Sequence, residues 1–292
     1  MKRRMVFLLL LLILVSGGTI SLIVRARNAV SLHVLDVGQG DATLVRAGRV
    51  DVLVDGGPDA TVLTRLGEVR PFWDRHIEVV ILTHPEQDHL RGLRAVLERE
   101  HVGLVMLPEI SATTETFRAF IRELTIQGTA VRAAYAGQRL TYGDLTLDVL
   151  APDAELLKRV RRSANVGSVV LRGTTPNFAF LLTGDIEAPT EQYLVRRLPK
   201  VLAVDVLKVP HHGSKTSSTS PFLRAVRPQL SVVSVGARNR YGHPHESVLR
   251  RYAPGTLFRT DEVGTVSLRA RRGVVLLRCQ RGCKVEGVGD RE

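Results

Sequence analysis

Four side chains able to lend a lone pair to a metal, His84, Glu86, Asp88 and His89, are packed into the stretch Thr83-His84-Pro85-Glu86-Gln87-Asp88-His89. Carboxylates and imidazoles set this close repel one another and are costly to desolvate unless a cation draws them together. The bland alternative is a solvated strand-to-helix loop in which Asp88 only caps the helix. Further along lie Asp36-Val37-Gly38-Gln39-Gly40-Asp41, Asp55-Gly56-Gly57, Thr183-Gly184-Asp185, Pro210-His211-His212-Gly213-Ser214 and Tyr241-Gly242-His243-Pro244-His245. Six of the nine histidines fall in three clusters, His84/His89, His211/His212 and His243/His245. Any one of these segments reads as an ordinary turn, but their recurrence as metal-type residues points to one shared site.

Each segment follows a short apolar run. Ile77-Glu78-Val79-Val80-Ile81-Leu82 precedes the first, and its β-branched character predicts a buried strand. Behind it, Leu90, Leu93, Val96 and Leu97 recur at helical spacing with arginines on the other face, predicting a helix. The same reading predicts strands ending at Asp55, Asp185, His211 and Gly236, and a hairpin around the glycines of 36–41. Sites assemble beyond the carboxyl ends of strands in such sheets. Hairpins and βα units alternate in two halves without a linker, which predicts a four-layer αββα sandwich, α/β in class. His101 is read as structural.

With 292 residues and 44% hydrophobic content, the chain can fill a core and is no disordered protein. Its net charge of +12 favours polyanions such as nucleic acid or an anionic membrane, unless the arginines are only a solvated surface. Lys2-Arg3-Arg4 precedes an apolar run from Met5 to Val24, long enough to span a bilayer as a helix. Residues 1–27 are therefore expected to be a signal peptide or membrane anchor, and 28–292 an extracytoplasmic body, secreted or tethered. Cys279 and Cys283 are too few for a zinc knuckle and are either a small disulfide loop or idle thiols.

The ordered motifs, from Leu35-Asp36-Val37-Gly38-Gln39-Gly40-Asp41-Ala42 through Leu207-Lys208-Val209-Pro210-His211-His212-Gly213-Ser214 to Gly242-His243-Pro244-His245, resemble the metallo-β-lactamase superfamily. More narrowly they are similar to the hydrolase domain of ComEC-type competence (DNA-uptake) proteins, over roughly Ser31 to Arg272. The resemblance implies two divalent ions, zinc or manganese. It puts His84 and Glu86 on one ion, Asp88 and His89 on the other, and Asp185 between them. One of the His211–His212 pair would also ligate the second ion. The sequence does not choose between them: with His211 in the metal set, His212, His243 and His245 are candidates to protonate the leaving group or hold a phosphate oxygen, and Asp88 would serve catalysis as well as the metal. Lys208 and Ser214 are candidate substrate contacts, and Gln39, Asp41 and Asp55 are expected to orient ligands from behind.

Two departures from the family pattern stand out. Glu86 replaces the usual His or Asp, and no histidine motif between His89 and Asp185 supplies a third nitrogen to the first ion. An oxygen-rich site moves preference from zinc toward manganese. The expected activity is metal-dependent hydrolysis of a phosphodiester, with DNA favoured by the basic body. The rivals are a hydrolase of a small phosphodiester, other ester or lactam, and a non-catalytic nucleic-acid-binding protein with a degenerate metal site.

Overall fold

A computed structural model describes residues 29–109, 114–159, 164–253, 256–271 and 274–283. The apolar run Met5 to Val24, read above as a leader, and Arg161, Arg162 and Arg272 lie outside the described residues. Among the described residues no helix is long and apolar enough to cross a membrane.

In chain order the first half comprises β1 (Val30–Val34), β2 (Thr43–Ala47), β3 (Val50–Val54), α1 (Thr61–Val69), β4 (His76–Ile81), α2 (Gln87–Arg99), β5 (His101–Pro108), α3 (Glu115–Gln127) and β6 (Ala130–Ala134). The second comprises β7 (Arg139–Tyr142), β8 (Leu145–Ala151), α4 (Ala154–Arg159), β9 (Val170–Thr174), β10 (Ala179–Leu182), α5 (Ala188–Arg197), β11 (Val206–Lys208), α6 (Ser220–Val226), β12 (Leu230–Val233), α7 (Glu246–Leu249), β13 (Leu257–Arg259), α8 (Thr260–Val263), β14 (Val266–Arg271) and β15 (Val274–Cys279). One sheet has the order β15-β14-β1-β2-β3-β4-β5-β6 and the other β13-β12-β11-β10-β9-β8-β7.

Side-chain alternation along these strands creates the four layers. Val52 and Val54 of β3 join Phe180 and Leu182 of β10 in the core between the sheets, while Leu53 turns outward to pack with Leu66 of α1 and Leu93 of α2. On the far side Leu181 and Leu207 meet Leu194 of α5 and Phe222 of α6. This is the expected αββα sandwich. The order of the closing strands was not predicted. The last two return to the first sheet, β14 pairing antiparallel with β1, and a disulfide joins Cys279 to Cys283 at the end of β15.

Candidate metal centre

Parallel pairing brings the polar segments to one edge. β3, β4 and β5 run the same way, so Asp55 and Thr83-His84 leave the first sheet side by side. β10, β11 and β12 do the same in the second, delivering Asp185, His211-His212 and Ser234. Around the first of these edges, packing is too close for side chains. A Cβ on Gly40 would lie 2.1 Å from the Asp88 carbonyl oxygen, and one on Gly92 would lie 1.9 Å from that of Gly56. Gly56 N–H donates to the His89 carbonyl at 2.7 Å, and the Ser234 hydroxyl donates to the Gly40 carbonyl at 2.7 Å, tying the start of α2 and the two sheets together. Asp55, His211 and His212 adopt left-handed φ values of 60°, 50° and 51°. For side chains other than glycine this strain is of order 1–3 kcal/mol per residue, and it persists only where the surroundings enforce it.

Three imidazoles are held by one nitrogen and aimed with the other. His89 Nδ1 lies 2.8 Å from Asp55 Oδ2, His212 Nδ1 lies 2.8 Å from the Ser234 carbonyl, and His84 Nδ1 lies 3.0 Å from Thr83 Oγ1. Asp55 also accepts from the Thr83 N–H and hydroxyl, both at 2.7 Å. Because Nδ1 is the donor in these bonds, Nε2 is the atom left to present a lone pair. All three Nε2 atoms are buried and have no hydrogen-bond partner among the described residues, as is true of Asp185 Oδ1 and Asp41 Oδ1. Buried polar atoms are nearly always satisfied, so five orphans in one cluster fit a bound cation.

The donor atoms converge. His89 Nε2 is 3.4 Å and His212 Nε2 3.2 Å from Asp185 Oδ2, and His212 Nε2 is 3.4 Å from Asp88 Oδ2. His84-His89-Asp185, Asp88-His89-His212 and Asp41-Asp185-His212 each place their ligand atoms within 4.8 Å of one another. Burial alone would strip protons from His89 and His212. The carboxylates of Asp185 and Asp55 beside His89, and of Asp185 and Asp41 beside His212, outweigh burial and hold both well above the usual histidine range. In return, and against its own burial, Asp185 is kept well below the usual carboxylate range by His212 and His89. Without metal, the imidazolium protons supply the positive charge.

Several assignments from sequence change. Of the His211–His212 pair, it is His212 whose ring nitrogen joins the converging donors. His211 stands at the rim, with Nε2 3.8 Å from Asp185 Oδ2 and Nδ1 3.4 Å from Glu187 Oε1. His212 is thereby removed from the candidate acids. Burial and the charges of His212 and His211 push His243 down to about 4, so in the metal-free chain it is neutral at neutral pH. His245 is exposed and accepts from the Ser247 N–H as the cap of α7, away from the cluster. The alternation that turns Val206 into the core between the sheets also turns Lys208 inward. It is buried against Asp41, with Nζ 3.8 Å from Asp185 Oδ1, so it is a structural cation and not a substrate contact.

Ser214 bonds Thr216 Oγ1 at 3.0 Å, which steadies the His211 turn and leaves its hydroxyl engaged within the chain. Gln39 accepts from the Gly236 N–H at 3.3 Å and so braces a loop instead of a ligand. Asp41 belongs among the converging donors. Glu86 is half exposed, its Oε2 3.9 Å from His84 Nε2, outside the converging groups. His84, Asp88, His89 and Asp185 converge, and Asp55 bonds His89 Nδ1 from behind. Sequence reasoning missed Thr83, whose place directly before His84 was its only signal, and Ser234, which had none.

Beside Asp88 a groove of about 670 Å³ opens to solvent, lined by Glu86, Arg91, Arg238, Arg240 and Tyr241 among others. The Tyr241 ring is 56% exposed, stacks on His243 with centroids 5.8 Å apart, and carries the Arg240 guanidinium 5.5 Å from its centre.

Residues 35–237 match the family model described as the metallo-beta-lactamase superfamily. ComE operon protein 3 of Bacillus subtilis (strain 168) is 31% identical over 263 residues, covering 83% of this chain and 33% of that protein. Competence protein ComA of Neisseria gonorrhoeae is 32% identical over 251 residues, covering 85% of this chain and 33% of that protein. The chain thus spans about a third of the length of these curated relatives. Among solved structures, the metallo-beta-lactamase fold protein YhfI from Bacillus subtilis superposes with a TM-score of 0.52 at 14% identity, covering 84% of this chain and 99% of that one.

Proposed function

Because the chain belongs to the metallo-beta-lactamase superfamily, we propose that it is a metal-dependent phosphodiesterase whose preferred substrate is DNA. The orphaned Nε2 atoms of His84, His89 and His212 and the carboxylates of Asp88 and Asp185 fit divalent ions. His84, His89, His212, Asp88 and Asp185 would hold them, with Asp41 beside His212 and Asp185. Bound there, they supply an acidified water and positive charge for the phosphate oxygens.

The chain's own residues do the rest. Asp55, Thr83 and Ser234 fix the histidine tautomers, so that the ligand lone pairs need no reorganisation. Lys208 offsets part of the charge of Asp41 and Asp185. The observation that carries the choice of substrate is the groove beside Asp88. Arg91, Arg238 and Arg240 offer guanidinium forks to phosphates, and Arg240, in turning from the Tyr241 ring to a phosphate, would open that face to a base. The competence relatives support DNA as the polymer, and the basic flank of the Met5 to Val24 run supports an exported body.

The deciding experiment follows hydrolysis of single- and double-stranded DNA, linear and circular, beside a small chromogenic phosphodiester, with manganese or zinc added, for wild type and Asp88→Ala. Metal-dependent cleavage that collapses in the variant is expected, with DNA cleavage falling steeply as salt rises. Equal rates in the two proteins would remove the enzyme reading. Activity confined to the small diester and indifferent to salt would replace DNA with a small ester.

A further inference from the structure

The edge of the first sheet opposite the metal centre carries an uncovered aromatic pair. Phe72 and Trp73, between α1 and β4, are 83% and 72% exposed and pack edge to face on each other with centroids 4.8 Å apart. Single exposed apolar residues need no explanation, but two large adjacent rings in a chain with 5% aromatics and one tryptophan do. Exposed Arg49, Arg75 and Arg99 lie at the same edge, at the starts of β3, β4 and β5. Of the acids there, Asp74 is tied to Arg46 at 3.0 Å and Glu100 to Arg70 at 3.2 Å, which leaves exposed Glu98 against the three arginines.

The described chain, which in sequence follows the apolar run Met5 to Val24, begins at this edge. Val30 pairs with Ala47 and Ala47 with Val50, the first residue of β3, and the Ala29 carbonyl accepts from the Gly48 N–H at 3.2 Å. Arg46, beside that turn, reaches the Val69 carbonyl and Asp74, on either side of the aromatic pair. Only Arg25 to Asn28 separate the run from Ala29, a tether of roughly 14 Å at full extension.

We propose that Phe72 and Trp73, flanked by Arg49, Arg75 and Arg99, form a second contact with an anionic membrane surface, so that the body sits on the bilayer with its metal centre facing away. Amphipathic rings settle at the headgroup level, and arginines beside them gain from anionic lipid. The proposal is independent of the reaction catalysed.

Trp73 reports its own environment because it is the only tryptophan. The full chain is reconstituted into vesicles of phosphatidylcholine and phosphatidylglycerol, with and without brominated acyl chains. The expected result is blue-shifted emission that brominated lipid quenches and aqueous iodide does not reach. A Phe72→Asp, Arg75→Glu double variant stays attached through the Met5 to Val24 run but loses the lipid quenching, separating surface contact from mere tethering. Emission indifferent to brominated lipid overturns the proposal. Iodide quenching in that case would show the pair in water, and a blue shift would show it covered by protein, including a second copy of the chain.

Discussion

Replacing Asp55 by Asn tests whether the oriented imidazoles form a metal site, because it changes hydrogens and charge without changing volume. Asp55 Oδ1 accepts from the Thr83 N–H, and Oδ2 accepts from the Thr83 hydroxyl and from His89 Nδ1. In the variant the amide oxygen keeps the Thr83 N–H, and the amide nitrogen turns donors toward Thr83 Oγ1 and His89 Nδ1. His89 then accepts through Nδ1 and moves its proton to Nε2, the atom that must carry a free lone pair. Loss of such an outer partner weakens metal binding by about 10–100-fold, or about 1.4–2.7 kcal/mol. The metal-free protein loses one charged hydrogen bond, about 1.5–3 kcal/mol, which for a domain of this size lowers Tm by roughly 3–12 °C. Competition with a chromophoric chelator measures the first quantity, and thermal unfolding with and without EDTA measures the second. A folded Asp55→Asn protein that binds manganese and zinc as tightly as wild type would refute the ligand geometry.

Four further outcomes follow from the metal centre and its groove. His212→Ala should abolish tight metal binding while His211→Ala spares it, and equal losses by isothermal titration would return both residues to the ligand set. Metal affinity should rise with pH through and above neutrality, because His89 and His212 hold protons well above their usual range and the incoming ion must displace them. Calorimetry in buffers of different ionisation heat should show proton release on binding, and its absence would contradict the assignment. Arg238→Ala with Arg240→Ala should flatten the log–log salt dependence of single-stranded DNA binding by roughly 1.4, for two phosphate contacts. Tyr241→Ala should raise KM on that substrate by about 5–150-fold, the equivalent of about 1–3 kcal/mol of base stacking. A variant groove with unchanged salt slope and KM would place the strand elsewhere.

Period and residue type made much of this molecule legible beforehand. Short β-branched runs specify buried strands, helical spacing from Leu90 to Leu97 specifies an amphipathic helix, and each strand's last residue is where its polar cargo must emerge. Those regularities are local, so the strands and the donors His84, Asp88, His89 and Asp185 could be read from the chain. The partner of each donor could not, because it is reached across the gap between two sheets. His212 outranks His211 only because its left-handed turn aims Nδ1 at the Ser234 carbonyl of β12's end and Nε2 at Asp185. Lys208 is withdrawn from substrate because strand parity turns it toward Asp41 of the other sheet. His245 is spent on a helix cap, while Tyr241 gains a groove. Spacing along a sequence states which atoms are available, and only the crossing of the two sheets decides which of them meet.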